Sequence, residues 1–278
     1  MATYLPGSRI EVVREVQRLA RIRVALLDFD GTLSLIRGGW QTIMLDLMVD
    51  VLRNAAPGEP QEALRAEAMR YIVELTGEPT IEQMRALSDA VARRGAEVES
   101  PEAYKERYLE RLEGTIQGRV DALEAGTLAQ DDLMVPGATG LLEELARRRI
   151  ACCLASGTDH DQVVREAGIL GIAHCFDAGV YGAVAAPSVF SKAQVLAELR
   201  QRYGLAGPDL LVVGDGPVEI VEGERVGAIT VGVASDEAHP GRLDADKRAR
   251  LIAAGAALIV PDLTEQTQLW RYLESPAK

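Results

Sequence analysis

Two aspartates, Asp28 and Asp30, directly follow a short apolar run at residues 24–27. Carboxylates at the end of a buried strand are unfavourable without partners, so their position indicates a functional use. One carboxylate can act as a nucleophile that splits a displacement into two easier steps. The other, two residues later, returns to the same face of the extended chain and can donate and accept the proton. Gly31 permits a sharp exit from the strand.

Other apolar runs are also followed by polar residues. These residues are Ser156, Gly157 and Thr158 after the run 150–154, Asp215 and Glu219 after the run 210–213, and Lys192 at the start of a predicted helix with Ser191 as its N-cap. In a doubly wound sheet the ligand site lies beyond the carboxyl ends of the strands. We therefore expect all of these residues to lie close to the two aspartates at the carboxyl edge of the sheet.

The pattern of apolar residues predicts the strands and helices that must position these residues. Short continuous apolar runs, typical of strands buried on both faces, occur at 24–27, 150–154, 210–213, 229–233 and 258–260. Amphipathic helices are predicted at 138–148, 161–167, 193–203 and 265–273. Alternating strands and helices predict an α/β fold with a doubly wound, mostly parallel sheet and right-handed crossovers.

The helical character of residues 38–131 interrupts this alternation, so we predict an inserted α-helical cap domain there. The core domain is then formed by residues 1–37 and 132–278. Its first segment is expected to contain an N-terminal amphipathic helix over residues 8–20, because Ser8 and Glu11 match a capping box and apolar residues follow at near-helical spacing. Gly38 and Gly39 lie at one junction of the cap, where glycines can absorb a closing rotation.

Composition limits the classes of partner. The 278 residues carry a formal net charge of -12, which argues against nucleic acid, because phosphate contacts need clustered basic residues. The same charge would repel a phosphorylated metabolite unless a cation and a few basic residues reverse the field locally. Three cysteines form no disulfide framework, and no apolar stretch approaches the length of a membrane span. We expect a soluble, cytoplasmic protein of undetermined oligomeric state.

Four segments, "DFDGT", "ASGT", "SK" and "GDGPVE", resemble in this order the four motifs of the haloacid dehalogenase superfamily. The resemblance covers about residues 22–262. The four motifs together are a specific signal, whereas any one of them alone would be a weak one. The helical insertion after the first motif resembles the C1 cap of the members similar to phosphoglycolate phosphatase. The resemblance implies a Mg²⁺-dependent phosphatase that acts on a small phosphomonoester through an aspartyl-phosphate.

The resemblance also assigns roles. It makes Asp28 the nucleophile, Asp30 the general acid–base and Lys192 the partner that keeps Asp28 ionised. The Mg²⁺ ligands would be the Asp28 side chain, the Asp30 carbonyl and the Asp215 side chain, a set of oxygens that suits this cation.

Phosphate oxygens are expected to lie against Ser156 and the backbone amides of Gly157 and Thr158, close to the start of a helix. The slot that usually carries a second Asp in the fourth motif holds Glu219 here. This longer acid can bind the metal or a metal-bound water, or it can pair with Lys192.

Three residues outside the motifs are candidate substrate contacts. Arg37 lies at the hinge beside the predicted active site. Thr80 and Gln83 follow the 76–80 loop, where the resemblance places a specificity loop of the cap.

Two other functions remain open at this point. A phosphomutase of the β-phosphoglucomutase type would use the same residues but return the phosphoryl group to the substrate. A non-enzymic phosphoacceptor domain also carries acids, a Ser or Thr and a Lys at sheet ends. Such domains are much shorter and have no large helical insertion, so the predicted cap argues against this alternative. Asp30 argues against dehalogenase and phosphonatase activity, because those branches lack an acid at this position.

Overall fold

Within residues 2–16, 21–183 and 191–275, which the computed structural model describes, the chain forms eight strands and ten α-helices. The strands are β1 (Thr3–Tyr4), β2 (Glu11–Val12), β3 (Val24–Leu27), β4 (Ala151–Asp159), β5 (Gly179–Ala183), β6 (Leu210–Gly214), β7 (Ile229–Val233) and β8 (Leu258–Val260). The helices are α1 (Trp40–Ala55), α2 (Gln61–Glu74), α3 (Thr80–Arg93), α4 (Pro101–Glu124), α5 (Ala138–Arg147), α6 (His160–Ile169), α7 (Lys192–Tyr203), α8 (Pro217–Arg225), α9 (Ala245–Ala253) and α10 (Gln266–Glu274).

The strands form one sheet in the order β1-β2-β8-β7-β6-β3-β4-β5. The strands from β3 to β8 pair in parallel, and β1 and β2 add two antiparallel strands at one edge. The predicted α/β fold with a mostly parallel sheet is confirmed. Leu27 at the end of β3 lies opposite Leu154 of β4 and Val213 of β6. Because the three strands are in this register, the residues that follow them reach the same edge of the sheet.

The chain divides into two compact units. Unit 1 contains residues 1–36 and 128–278 and therefore the whole sheet, and unit 2 contains residues 37–127 with helices α1 to α4. The predicted cap, residues 38–131, begins one residue later and ends four residues later than unit 2. Residues 128–131 belong to unit 1, where the adjoining 3₁₀ turn, Gln130–Leu133, is fastened to the first segment. The Leu133 carbonyl accepts a hydrogen bond from the Leu35 amide at 2.8 Å.

The predicted N-terminal helix is wrong over its described part, and residues 17–20 of that prediction lie outside the described residues. The Ser8 hydroxyl closes a turn by donating to the Leu5 carbonyl and accepting from the Ile10 amide. Glu11 binds Arg248 of α9 through both carboxylate oxygens, at 2.6 and 2.5 Å, so it does not complete a capping box. The chain instead forms β2, which pairs with the buried strand β8, because sheet pairing outweighs the local helical pattern.

Several elements were not predicted from the apolar pattern. The strand β5 is rich in glycine, and α8 and α9 are short helices with charged residues throughout. The predicted strands at 229–233 and 258–260 coincide with β7 and β8. None of the helices in the described ranges is long and apolar enough to cross a membrane.

A cluster of charged residues links α2 to the C-terminal end of α3 and to the α1–α2 connection within unit 2. Arg94 binds Glu67 at 2.6 Å and Glu59 at 2.8 Å, and Tyr71 donates to the same Glu67 carboxylate. The hydrogen bond from Arg94 is the largest cause that lowers the pKa of Glu67 from 4.5 to about 2. A carboxylate whose pKa is lowered on folding stabilises the folded state above its unfolded pKa.

We therefore expect Glu67→Gln to lower the stability of the protein at pH 7 by about 1–3 kcal/mol, because it removes a charged hydrogen-bond acceptor. The difference from wild type should shrink as the pH falls from about 4.5 towards 2, where the wild-type carboxyl becomes protonated. Thermal unfolding followed by circular dichroism measures it. The control Glu74→Gln changes an exposed acid that faces Arg70 at 3.7 Å, and should shift stability by less than about 0.5 kcal/mol. Equal effects of both substitutions at pH 7 would contradict the role of Glu67.

Candidate active site

Lys192 is the first residue of α7, and its ammonium group is almost completely buried. The helix begins there because the Ser191 side chain accepts a hydrogen bond from the Gln194 amide, as an N-cap does. Lys192 Nζ lies 2.6 Å from Asp28 Oδ1 and 2.7 Å from Glu219 Oε2. Burial opposes its charged form, but the two carboxylates raise the pKa of Lys192 above its ordinary value. Lys192 is therefore a fixed positive charge beside Asp28.

Glu219, in the first turn of α8, is fully buried and uses both carboxylate oxygens within the protein. Its Oε2 accepts from Lys192, and its Oε1 accepts from the Gly216 amide at 2.6 Å. The close approach depends on Gly214, because a Cβ there would lie 2.2 Å from Glu219 Oε1. Of the roles open for Glu219 at the outset, the geometry supports the one in which it holds Lys192.

Asp28 and Asp215 follow the adjacent parallel strands β3 and β6, and both are buried. Together with Glu219 they place three carboxylate oxygens within 4.8 Å of one another. Among the described residues, no hydrogen bond reaches Asp28 Oδ2 or Asp215 Oδ1. Burial raises the pKa of Asp28 well above its ordinary value, and Glu219 and Asp215 add to this rise while Lys192 opposes it. The oxygen donors and the excess of negative charge fit a hard divalent cation.

Asp30 lies on the side of the site formed by the end of β4. Thr158 Oγ1 donates to Asp30 Oδ2 at 2.8 Å, and Ser156 Oγ lies 3.4 Å from the same oxygen. The Thr158 amide donates to Ser156 Oγ at 3.1 Å. This segment, with Gly157, belongs to β4, whose pairing with β5 shifts register between Ala155 and Asp159. The predicted phosphate-binding group is therefore in contact with the predicted general acid–base.

Gly31 joins Asp30 to the rest of the first motif in a left-handed conformation, with a φ of +73°. A Cβ at this position would lie 2.3 Å from Asp215 Oδ2 and 3.1 Å from Glu237 Oε1. Glycine is thus required both by the backbone angle and by the packing of the Asp215 carboxylate.

Three residues of this region were not predicted: Ser235, Glu237 and Lys247. Lys247 Nζ lies 2.8 Å from Asp215 Oδ2 and 3.3 Å from Glu237 Oε1, and Ser235 Oγ donates to the Gly31 carbonyl at 2.7 Å. Burial opposes the charged form of Lys247, but the carboxylates of Asp215 and Glu237 raise its pKa above the ordinary value. Ser235 and Glu237 follow the predicted strand at 229–233. They could therefore have been found from the sequence, because polar residues that follow a buried strand are expected at the carboxyl edge of the sheet. No comparable signal marks Lys247, within α9.

Arg37, Thr80 and Gln83 belong to unit 2. Arg37 is its first residue, Thr80 begins α3, and Gln83 is buried in the first turn of that helix. Their proposed contact with substrate stays a prediction. The residues that lie together in unit 1 are Asp28, Asp30, Ser156, Thr158, Lys192, Asp215 and Glu219.

Comparisons with known proteins bear on the family and the fold of the chain. A family model described as haloacid dehalogenase-like hydrolase matches residues 22–227. Similar solved structures include a predicted phosphoglycolate phosphatase from Haemophilus somnus, with a TM-score of 0.58 at 15% identity, covering 90% of this chain and 99% of that one. A β-phosphoglucomutase from Clostridium difficile gives 0.57 at 15% identity, covering 90% and 97%. A hydrolase from Pseudomonas syringae gives 0.52 at 20% identity, covering 91% and 100%. Among curated proteins no match is found.

Gly31→Ala is expected to weaken Mg²⁺ binding, because the added methyl group displaces the Asp215 carboxylate. The left-handed backbone alone should lower stability by about 1–2 kcal/mol. Gly204→Ala is the matched control, since Gly204 has a φ of +59° but no atom lies within 4 Å of its Cβ position. Titration calorimetry with Mg²⁺ and thermal unfolding separate the two effects. Equal Mg²⁺ affinities in the two variants would contradict the packing argument.

The roles of Asp215 and Glu219 are separable by the same titration. Asp215→Asn should weaken Mg²⁺ binding by about 10-fold or more, because it removes the charge of a candidate ligand. Glu219→Gln should change Mg²⁺ affinity much less while lowering turnover, since it weakens the hold on Lys192 and leaves Asp28 and Asp215 in place. A loss of Mg²⁺ affinity in Glu219→Gln as large as in Asp215→Asn would make Glu219 a metal ligand instead.

Proposed function

The chain belongs to the haloacid dehalogenase-like hydrolases, and from this premise we propose that it is a Mg²⁺-dependent phosphatase of small phosphomonoesters. The observation that carries the proposal is the buried contact of Lys192 with Asp28, beside the carboxylate of Asp215. A nucleophilic carboxylate must be held in place and its charge balanced before a dianionic phosphate can approach it. Lys192 does both.

In the proposed reaction the Asp28 carboxylate attacks phosphorus, and the bond from phosphorus to the ester oxygen breaks. An aspartyl-phosphate forms on Asp28, and the alcohol leaves with a proton donated by Asp30. A water molecule then loses a proton to Asp30 and attacks the same phosphorus, which releases inorganic phosphate and restores the Asp28 carboxylate. The contact of Thr158 with Asp30 supports this assignment, because it orients the carboxyl group that moves the proton.

The proposed metal follows from the charges of the site. Among the described residues, the carboxylates of Asp28, Asp30, Asp215, Glu219 and Glu237 lie in this region together with the ammonium groups of Lys192 and Lys247. A phosphomonoester would add further negative charge. Asp28 and Asp215 would hold Mg²⁺, with the carbonyl oxygen of Asp30 as the further ligand that the family resemblance implies. The cation supplies positive charge against the phosphate oxygens.

Selection among substrates is proposed to belong to unit 2. The residues of unit 1 described above account for the nucleophile, the acid–base and the metal, and they are suited to any phosphomonoester. Thr80, Gln83 and Arg37 are the candidate residues for recognising the rest of the substrate. A small metabolite fits this proposal better than a phosphoprotein, because closure of a cap would exclude bulky groups.

Asp28→Asn is expected to reduce phosphate release by at least about 10³-fold, because an amide cannot form the covalent intermediate. The measurement is a phosphate-release screen across sugar phosphates, phosphoglycolate, nucleoside monophosphates and p-nitrophenyl phosphate, with Mg²⁺ present. The control is Asp161→Asn, an exposed acid in the first turn of α6, which should keep wild-type turnover. Substantial phosphate release by Asp28→Asn would refute the assignment. Conversion of a sugar phosphate to its isomer by wild type, without free phosphate, would favour the mutase instead.

A further inference from the structure

A second buried lysine, Lys247, contacts Asp215. Lys192 contacts the other candidate metal-binding aspartate, Asp28. The ammonium group of Lys247 lies 2.8 Å from Asp215 Oδ2 and 3.3 Å from Glu237 Oε1, and its side chain is 4% exposed. A buried ammonium group is unfavourable unless it is paired and hydrogen-bonded. Because Lys247 is paired with two carboxylates at the end of the sheet that carries the site, its placement is unlike that of a solvated helix residue.

The segment that delivers Lys247 is tied to the site at several points. The Asp244 side chain accepts from the Lys247 amide at 2.8 Å and so caps α9, and the Asp244 amide donates to the Ala234 carbonyl at 2.8 Å. Ser235 Oγ binds the Gly31 carbonyl at 2.7 Å. These bonds fix the connection between β7 and α9 against the turn at Gly31 in the first motif. The position of Lys247 is therefore set by the backbone as well as by its ion pairs.

The contact of Lys247 selects one orientation of the Asp215 carboxylate. Oδ2 is engaged by the ammonium group and lies over Gly31, where no side chain intrudes. Among the described residues, Oδ1 accepts no hydrogen bond, and the Asp215 carboxylate belongs to the cluster with Asp28. A carboxylate held by one oxygen presents the other in a fixed direction.

We propose that Lys247 is a positioning residue that holds Asp215 as a one-oxygen ligand for the divalent cation, with Glu237 holding Lys247 in turn. This inference rests on the proposed function, because it concerns the same metal. It adds that the affinity for the metal depends on Lys247, a side chain that does not itself bind the cation.

Two effects of Lys247 on a cation have opposite signs, so the experiment distinguishes them. A lysine that positions Asp215 strengthens Mg²⁺ binding, and its removal weakens it. A lysine that is only a positive charge next to the metal repels the cation, and its removal strengthens binding. Lys247→Met removes the charge and keeps most of the length and apolar volume of the side chain.

The test is titration calorimetry of Mg²⁺ into the full-length metal-free protein, together with the Mg²⁺ concentration that half-activates phosphate release. Lys247→Met should weaken Mg²⁺ binding by about 10- to 100-fold, and the half-activating concentration should rise with it. Glu237→Gln, which leaves Lys247 with one carboxylate, should weaken binding in the same direction by a smaller factor. The control is Arg250→Met, which removes a positive charge three residues further along α9 and should leave the Mg²⁺ affinity unchanged.

Unchanged or tighter Mg²⁺ binding in Lys247→Met, with wild type binding normally, overturns the positioning role and leaves the proposed phosphatase intact. If Lys247→Met does not fold, Glu237→Gln decides, and an unchanged affinity in that variant overturns the proposal. Absence of Mg²⁺ binding by wild type refutes the metal dependence of the proposed function and this inference with it. Weakening in Arg250→Met as large as in Lys247→Met also overturns it, because the effect would then not depend on the contact of Lys247 with Asp215.

Discussion

The burial of Lys192 between Asp28 and Glu219 is the interaction on which the rest of the site depends. An ammonium group without water needs negative partners, and each partner here comes from a different part of the sequence. Asp28 follows β3, Lys192 begins α7, and Glu219 lies in the first turn of α8. Loss of Lys192 would leave two buried carboxylates without this partner, and loss of either carboxylate would leave Lys192 with only the other, so the ion pairs constrain the ends of these elements together.

Lys192 and Lys247 form two similar arrangements on the two sides of the acidic cluster. Each ammonium group contacts one aspartate, Asp28 or Asp215, and one glutamate, Glu219 or Glu237. The glutamates therefore contact the lysines, and the lysines contact Asp28 and Asp215. Charges held in this way need little rearrangement when a substrate binds, which is the property that makes a preorganised site effective.

The sequence allowed most of this site to be predicted because its residues follow buried strands. Each apolar run identifies a strand, and parallel strands end at one edge. Asp28 and Asp215 directly follow such ends, while Ser156 lies in the C-terminal half of β4, which extends beyond its apolar run. Lys247 was missed because its position depends on how the connection after β7 folds back, which no local pattern encodes. The N-terminal segment was predicted as a helix for a related reason: pairing with β8 and the contact of Glu11 with Arg248 are both distant in sequence.

The order of strands in the sheet has a consequence for how the protein folds. The central strand β3 pairs with β4 and β6, although the whole of unit 2 lies between β3 and β4 in the sequence. The core therefore gains its central pairing only after a long stretch of chain has been closed into a loop, which carries an entropic cost and slows folding. Helices α1 to α4 are consecutive in sequence and can form their contacts without waiting for that closure. A compact insert shortens the effective loop, so early folding of unit 2 would bring the two halves of the sheet together.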